Sequence, residues 1–270
     1  MRGPVPPCRQ FNPVGTIRRM ALAAMAFLAL TMPSVLRAGD LPTGLGIECI
    51  SLHYKEPGIM TEDGLLYGML LAHEFDLEGV PVRSSFSLAY GKVQYKGGRS
   101  LESGGFLPVQ LKSANTLLNM RATALWRHQP EGMQTTLIPY AGLGYRLLVD
   151  DLPTEWGYTR DQTYWYLPFG LEVEMQSNED TTWTIGGEYD CFLQGYNVSG
   201  GDAFTQDGGS GFRLVARVQT DFDRGEEGNS MRFETFLRGW KVDESTVSPT
   251  GYYEPANRTT LYGASVSIFF

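Results

Sequence analysis

The chain has 270 residues, of which 42% are hydrophobic, 12% aromatic and 19% charged, and its formal net charge is -8. The aromatic content excludes a disordered chain, three cysteines exclude a disulfide-stapled scaffold, and the acidic balance leaves no basic surplus to neutralise nucleic-acid phosphates. No stretch reaches the roughly 18 uninterrupted apolar residues of a spanning helix, so a helical membrane protein is excluded too.

The first segment reads as an export signal. Arg18-Arg19 precede an apolar run from Met20 to Leu30, and the segment that follows ends in the small residue Ala38. Residues 1–38 hold arginines 2, 9, 18, 19 and 37 and no acid, the charge bias of a secretory signal peptide. Cys8 lies before the apolar run, so it does not mark a lipoprotein acylation site. Cleavage after Ala38 leaves residues 39–270 as one domain and removes five of the 22 basic residues against 30 acids, for a net charge of -13. Cys49 and Cys191 remain, read as two separate thiols on apolar faces rather than a disulfide.

The rest reads in strands. Segments near 45–56, 64–75 and 83–96 are strand-like without clean alternation. Leu118, Met120, Ala122, Ala124 and Trp126 then alternate with Asn119, Arg121, Thr123 and Arg127. The pattern returns with Leu137–Leu147, with Trp165–Met175 against Glu172 and Glu174, and with Trp183–Leu193 against Glu188 and Asp190. It continues with Phe212–Phe222 against Arg213 and Arg217, then a segment near 230–241. The terminal strand is strict: Tyr262, Ala264, Val266, Ile268 and Phe270 on one face, Gly263, Ser265 and Ser267 on the other. This makes about ten strands, with eight as the alternative count.

The joins alternate in length. Those at 76–82, 129–133, 176–181 and 223–229 are short and rich in turn residues, whereas 97–114, 148–162, 195–211 and 242–259 are long. Short turns at one end and long loops at the other, with strands of ten or more residues, predict an all-β antiparallel barrel in lipid. Trp126, Tyr164, Trp165, Trp183, Tyr262, Phe269 and Phe270 cluster near strand ends, where interfacial girdles sit. In lipid no sheet edge stays unpaired, so the sheet must close.

With its signal peptide, alternating strands and terminal strand ending in Phe270, the chain resembles the small outer-membrane barrels of Gram-negative bacteria, the OmpA/OmpX-like group. The resemblance implies location in the outer membrane. It also implies contact with its lipid and recognition of Tyr262, Val266, Ile268 and Phe270 by the barrel-assembly machinery. Nothing follows the last strand, so the peptidoglycan-binding domain of the full-length pattern is not expected.

The set facing the lumen carries both signs: Glu172, Glu174, Glu188, Asp190, Arg213, Arg217, Arg232, Glu234 and Arg238, joined by Arg121, Arg127 and Arg146. In a barrel of eight to ten strands such groups pair across strands and fill the interior, or line a narrow pore. No cofactor or metal is expected, since neither a phosphate-cradling glycine loop nor a ligand cluster occurs. Catalysis is not expected either. The omptin protease pattern fails at Asp150-Asp151, and His53 with Ser51 is the one local pair that a rim-located hydrolase could use. The expected role is structural or passage of small solutes. The alternative is surface binding of an extracellular ligand through loops carrying Trp156, Tyr158, Tyr196, Phe204, Tyr252 and Tyr253.

Overall fold

A computed structural model describes residues 43–100, 106–154, 157–222, 229–247 and 251–270. The signal segment 1–38 and Trp156 lie outside the described residues. Eleven strands follow in chain order: β1 Thr43–Glu56, β2 Met60–Leu77, β3 Val80–Ser100, β4 Phe106–Leu125, β5 Thr135–Asp151 and β6 Thr159–Gln176. Then come β7 Thr181–Ser199, β8 Asp202–Gln206, β9 Gly209–Asp221, β10 Ser230–Val242 and β11 Asn257–Phe269. All pairings are antiparallel, β11 returns to β1, and ten strands close into a barrel. The short β8 pairs with the end of β7 in the same register as β9 and so continues β9 along that edge at the distal end. Closure reaches the last residue, since Thr43 N donates to Phe270 O and Phe270 N to Thr43 O, each at 3.0 Å.

The outward face explains why the sheet closes. Leu45, Ile47, Met69, Leu143, Leu171, Ile185, Leu214, Val266 and Ile268 are all exposed on it. Trp126, Trp183 and Phe270 stand exposed near the end that carries the termini, and Tyr67, Tyr90 and Tyr262 toward the distal end. An apolar belt of this extent, rimmed by aromatics, is stable against acyl chains and not against water. The fold is a transmembrane β-barrel.

Many strands run well past the roughly 9–11 residues a tilted span requires. The surplus lies at the distal end, and it corrects the expected loops. Strands β3 and β4 stay paired to Ser100↔Phe106, so most of 97–114 is sheet. Asp150 and Asp151 pair with Arg160 and Thr159 on β5 and β6, so most of 148–162 is sheet too. Tyr196 lies on β7 and Phe204, buried, on β8, so neither is a loop aromatic. Among the described residues of the long joins, 243–247 and 251–256 are irregular. At the other end β2 and β3 meet in a tight turn at Glu78-Gly79, both at positive φ, with Gly79 N donating to Asp76 Oδ1.

Two aromatics expected at interfaces point inward instead. Tyr164 and Phe269 are buried in the lumen, because their paired neighbours Arg146 and Gly44 are inward positions. A bulge also interrupts the β6–β7 ladder, where Tyr166 pairs with Phe192 but Trp165 with Gln194. Leu193 is the extra residue, so inward positions on β7 change from Glu188, Asp190 and Phe192 to Gly195 and Asn197. Glycine makes room for inward aromatics. A Cβ on Gly144 would lie 2.0 Å from the Tyr166 ring, and one on Gly170 2.2 Å from the Tyr140 ring. Cys49 and Cys191 are free and half-buried.

Within β1 the alternation changes sense. Near the termini, Leu45 and Ile47 face out while Gly46 and Glu48 face in. Farther along, His53 and Lys55 face out while Ile50, Leu52 and Tyr54 are buried inside. Lipid rewards apolar groups on the outside, and above the lipid, water reverses the preference.

Candidate functional site

The interior is organised in three layers along the barrel axis. Nearest the termini is a charge ladder. Glu172 accepts from Arg83 and from Arg217, both at 2.8 Å, and Glu234 takes Arg217 from the other side together with Arg213. Arg83 also bonds Glu74 at 2.8 Å, and Glu74 holds Arg127 at 3.1 Å, whose second carboxylate, Glu174, is at 3.7 Å. One step deeper, Glu188 pairs with Arg121, accepts the Tyr140 hydroxyl at 2.8 Å and meets Arg238 at 3.3 Å. Arg238 also reaches Asp190 at 3.3 Å and donates to the Tyr166 hydroxyl at 3.0 Å. Arg232 takes Gln219 as its partner, at 2.8 and 3.0 Å, and lies over the Phe269 ring.

All nine lumen charges singled out in the sequence lie in this ladder. Sequence reasoning missed Arg83, Glu74 and Glu48, the last bonded by the Ser87 hydroxyl. These three fall on β1, β2 and β3, where alternation is least regular. Between the arms of the ladder lies a cavity of about 110 Å³, room for a few waters.

The second layer is apolar. Ile50, Leu52, Leu66, Ala89, Val93, Leu117, Leu148 and Leu261 pack as one buried cluster inside the barrel. Tyr164, Tyr166, Phe192, Trp240 and Val242 form a second cluster on the β6, β7 and β10 side. Arg146, fully buried, faces the Tyr164 ring at 5.1 Å and reaches Thr259 Oγ1 at 3.4 Å.

The third layer closes the distal mouth. Arg160, 2% exposed, contacts three carboxylates: Glu56, Asp150 at 3.1 Å and Glu254 at 3.7 Å. Its guanidinium lies 4.8 Å from the centre of the Tyr54 ring. Gln162 joins the cluster by donating to Tyr54 Oη at 2.7 Å and Glu254 Oε1 at 3.3 Å. Glu254 lies in the irregular residues 251–256, pinned to the irregular residues 243–247 by Ser245 N to Glu254 O at 2.9 Å and Glu254 N to Ser245 Oγ at 2.8 Å. These residues therefore form a strap with its carboxylate inside the barrel.

Burial raises the Glu254 carboxyl from 4.5 to about 7, opposed by Arg160 and reinforced by Glu56. A raised carboxyl is bound neutral, so the strapped arrangement is firmest below pH 4.5 and loses stability as pH rises through 7. Amide exchange of residues 243–256 is expected to accelerate between pH 5 and 8, and Glu254→Gln to flatten that dependence. Exchange that shows no pH dependence beyond the intrinsic chemical rate would reject this reading.

Outside the barrel, His53 Nδ1 pairs with Asp63 Oδ1 across β1 and β2. Asp63 was not a candidate in the sequence because it lies ten residues away and is brought in by strand register. Ser51 sits two positions along the same outward face, and among the described residues no hydrogen bond links it to His53. Among the described residues, no group of three or more His, Cys, Asp or Glu side chains is arranged to hold a metal.

No protein family profile matches the chain, and no curated protein does. Solved structures do. Neisserial surface protein A is 10% identical at a TM-score of 0.35, over 84% of this chain and 97% of its own. The Pseudomonas putida toluene transporter TodX is 10% identical at a TM-score of 0.36, over 88% and 91%. Ail, the attachment invasion locus protein of Yersinia pestis, is 9% identical at a TM-score of 0.34, over 86% and 99%.

Proposed function

We propose that this chain is a structural barrel of a Gram-negative outer membrane, with a closed lumen and no catalytic role. In this reading residues 1–38 direct export, and residues 39–270 form the membrane domain. The outward residues Tyr262, Val266, Ile268 and Phe270 of β11 present the assembly signal. The observation that carries a closed lumen is the apolar layer: Leu52, Leu66, Leu117 and Leu148 are each at most 1% exposed inside the barrel. Ions do not cross such a layer, because each would lose its hydration without a compensating partner.

Planar-bilayer recording of the refolded chain is expected to show no discrete openings. The variant Leu52→Ser/Leu117→Ser is expected to conduct, because it replaces two apolar side chains of the layer with hydrated ones. Reproducible openings in the unmodified chain would instead make the charge ladder a selectivity lining and assign the protein to small-solute passage.

The second reading is surface binding at the distal end. Val247, Tyr252 and Tyr253 are exposed on the strap at 68%, 66% and 48%, and exposed aromatics are common binding anchors. Loss of cell-surface attachment in a Tyr252→Ser/Tyr253→Ser variant that remains folded would favour it.

A further inference from the structure

The sequence has five lysines, at positions 55, 92, 96, 112 and 241. All five are exposed, and each sits between inward neighbours on β1, β3, β4 or β10, so all point outward. Arginine is distributed in the opposite way. Among arginines whose side chains are described, Arg258 on β11 is the one outward member, and the rest line the lumen or its rim. An acidic chain has thus placed all its lysines on one side of one surface.

The register puts these cations beside one another. Lys241 pairs with Arg258, Arg258 with Lys55, Lys55 with Thr61, and Thr61 with Lys96. Adjacent strands are roughly 4.8 Å apart, so three cations occupy neighbouring strands in one row. Like charges placed directly opposite one another destabilise a sheet. Among the described residues none of these six cations pairs with a carboxylate. On the outward face of β10, β11 and β1–β4 beyond the aromatic ring, the one described carboxylate is Asp63, and it is taken by His53.

Their height is as informative as their sign. Arg258 lies four residues beyond Tyr262. Lys55 lies four beyond Ser51, the strand partner of Tyr262, and Lys92 lies two beyond Tyr90. That is about 7–13 Å along a strand, or about 5–10 Å along the membrane normal for strands tilted near 40°. Headgroups begin at that level. Below the cations, Tyr262, Leu65 and Tyr67 offer exposed apolar surface to acyl chains.

We propose that the face made by Lys241, Arg258 and Lys55, flanked by Lys92, Lys96 and Lys112, binds phosphate-bearing lipid headgroups of the distal leaflet. The alkyl stems lie along the barrel wall while the charged tips reach the phosphates. The row of like charges, costly in the bare protein, becomes favourable once anions lie between its members. This does not depend on whether the lumen conducts.

The refolded full chain in neutral detergent, presented with cardiolipin, phosphatidylglycerol or phosphatidylcholine, is read by native mass spectrometry for bound lipid. Cardiolipin, with two phosphates, is expected to be retained best and phosphatidylcholine least. The variant Lys55→Gln/Arg258→Gln/Lys241→Gln is expected to lose at least tenfold in cardiolipin retention, since each cation near an anionic lipid contributes roughly fivefold. Asp151→Asn/Asp161→Asn, on β5 and β6 across the barrel, is expected to leave retention unchanged. Heat-modifiable migration checks folding, and the single variant Arg258→Gln, at an exposed position, serves if the triple variant does not fold. Equal retention of the three lipids, or full retention by the variants, would overturn the proposal. So would displacement of cardiolipin by inorganic phosphate, which would make the face a site for free phosphate.

Discussion

Replacing Arg160 with methionine is expected to destabilise the barrel by about 3–5 kcal/mol, the range for removing one partner of a buried ion pair. The cost arises from what remains. Glu56, Asp150 and Glu254 converge on this guanidinium, each at most 4% exposed as a side chain. Without it three carboxylates face one another away from water, and protonation becomes their only relief. The loss is therefore expected to be larger at pH 8 than at pH 5, where protons replace the missing cation. Adding Glu56→Gln to Arg160→Met should recover part of the loss by removing one of the stranded charges. Urea titration of tryptophan fluorescence at both pH values measures all of this. A loss below about 1 kcal/mol at pH 8 would mean that the cluster is hydrated as a surface pair is.

This mouth cluster was also the part least legible in the sequence. Strand β11 is readable from Leu261 onward, Phe269 apart, because that part lies within the lipid band and one rule governs each face: Tyr262, Val266 and Ile268 out, Ser265 and Ser267 in. Strands β1 and β3 cross from lipid into water, and the rule reverses along them. On β3, Phe86 and Leu88 face out in the membrane, while Lys92 and Lys96 face out above it with Val93 and Tyr95 buried inside. A single alternation template averages these halves into an irregular segment. The surplus sheet of β3, β4, β5 and β6 accordingly looks like long loops in the sequence, and Arg160 and Asp150 with it. The apolar layer is hidden for the same reason, since Leu52 lies on a strand without clean alternation and Leu148 falls in an expected loop until register brings both, with Leu117, into the interior.

The same reversal accounts for the division between arginine and lysine. Inside the barrel, cations must be shared among fixed carboxylates at close range, which suits the planar multi-donor guanidinium, as at Arg217 between Glu172 and Glu234. Outside, above the aromatic ring, a flexible and strongly hydrated ammonium meets partners that diffuse. Residue choice thus follows from which side of the wall the backbone presents, and the wall itself follows from closure.

Glu188→Gln carries the second large expected effect, about 3 kcal/mol of stability, below the top of the buried range because the cavity beside the ladder admits water. Glu188 is 1% exposed as a side chain and is the carboxylate shared by Arg121 and Arg238, with the Tyr140 hydroxyl as third donor. An amide of the same shape keeps the Tyr140 hydrogen bond and removes the charge, so Arg238 falls back on Asp190 and Arg121 loses its described carboxylate. Glu174→Gln is the internal control. It changes the same group in the same ladder, but Glu174 is 31% exposed and 3.7 Å from Arg127, and about 0.5 kcal/mol is expected. Pairing Glu188→Gln with Arg121→Gln closes a double-mutant cycle, in which the second substitution should cost less than it does alone. If Glu188→Gln and Glu174→Gln prove equal in urea titrations, burial does not set the strength of the ladder, and its charges are held by lumen water rather than by one another.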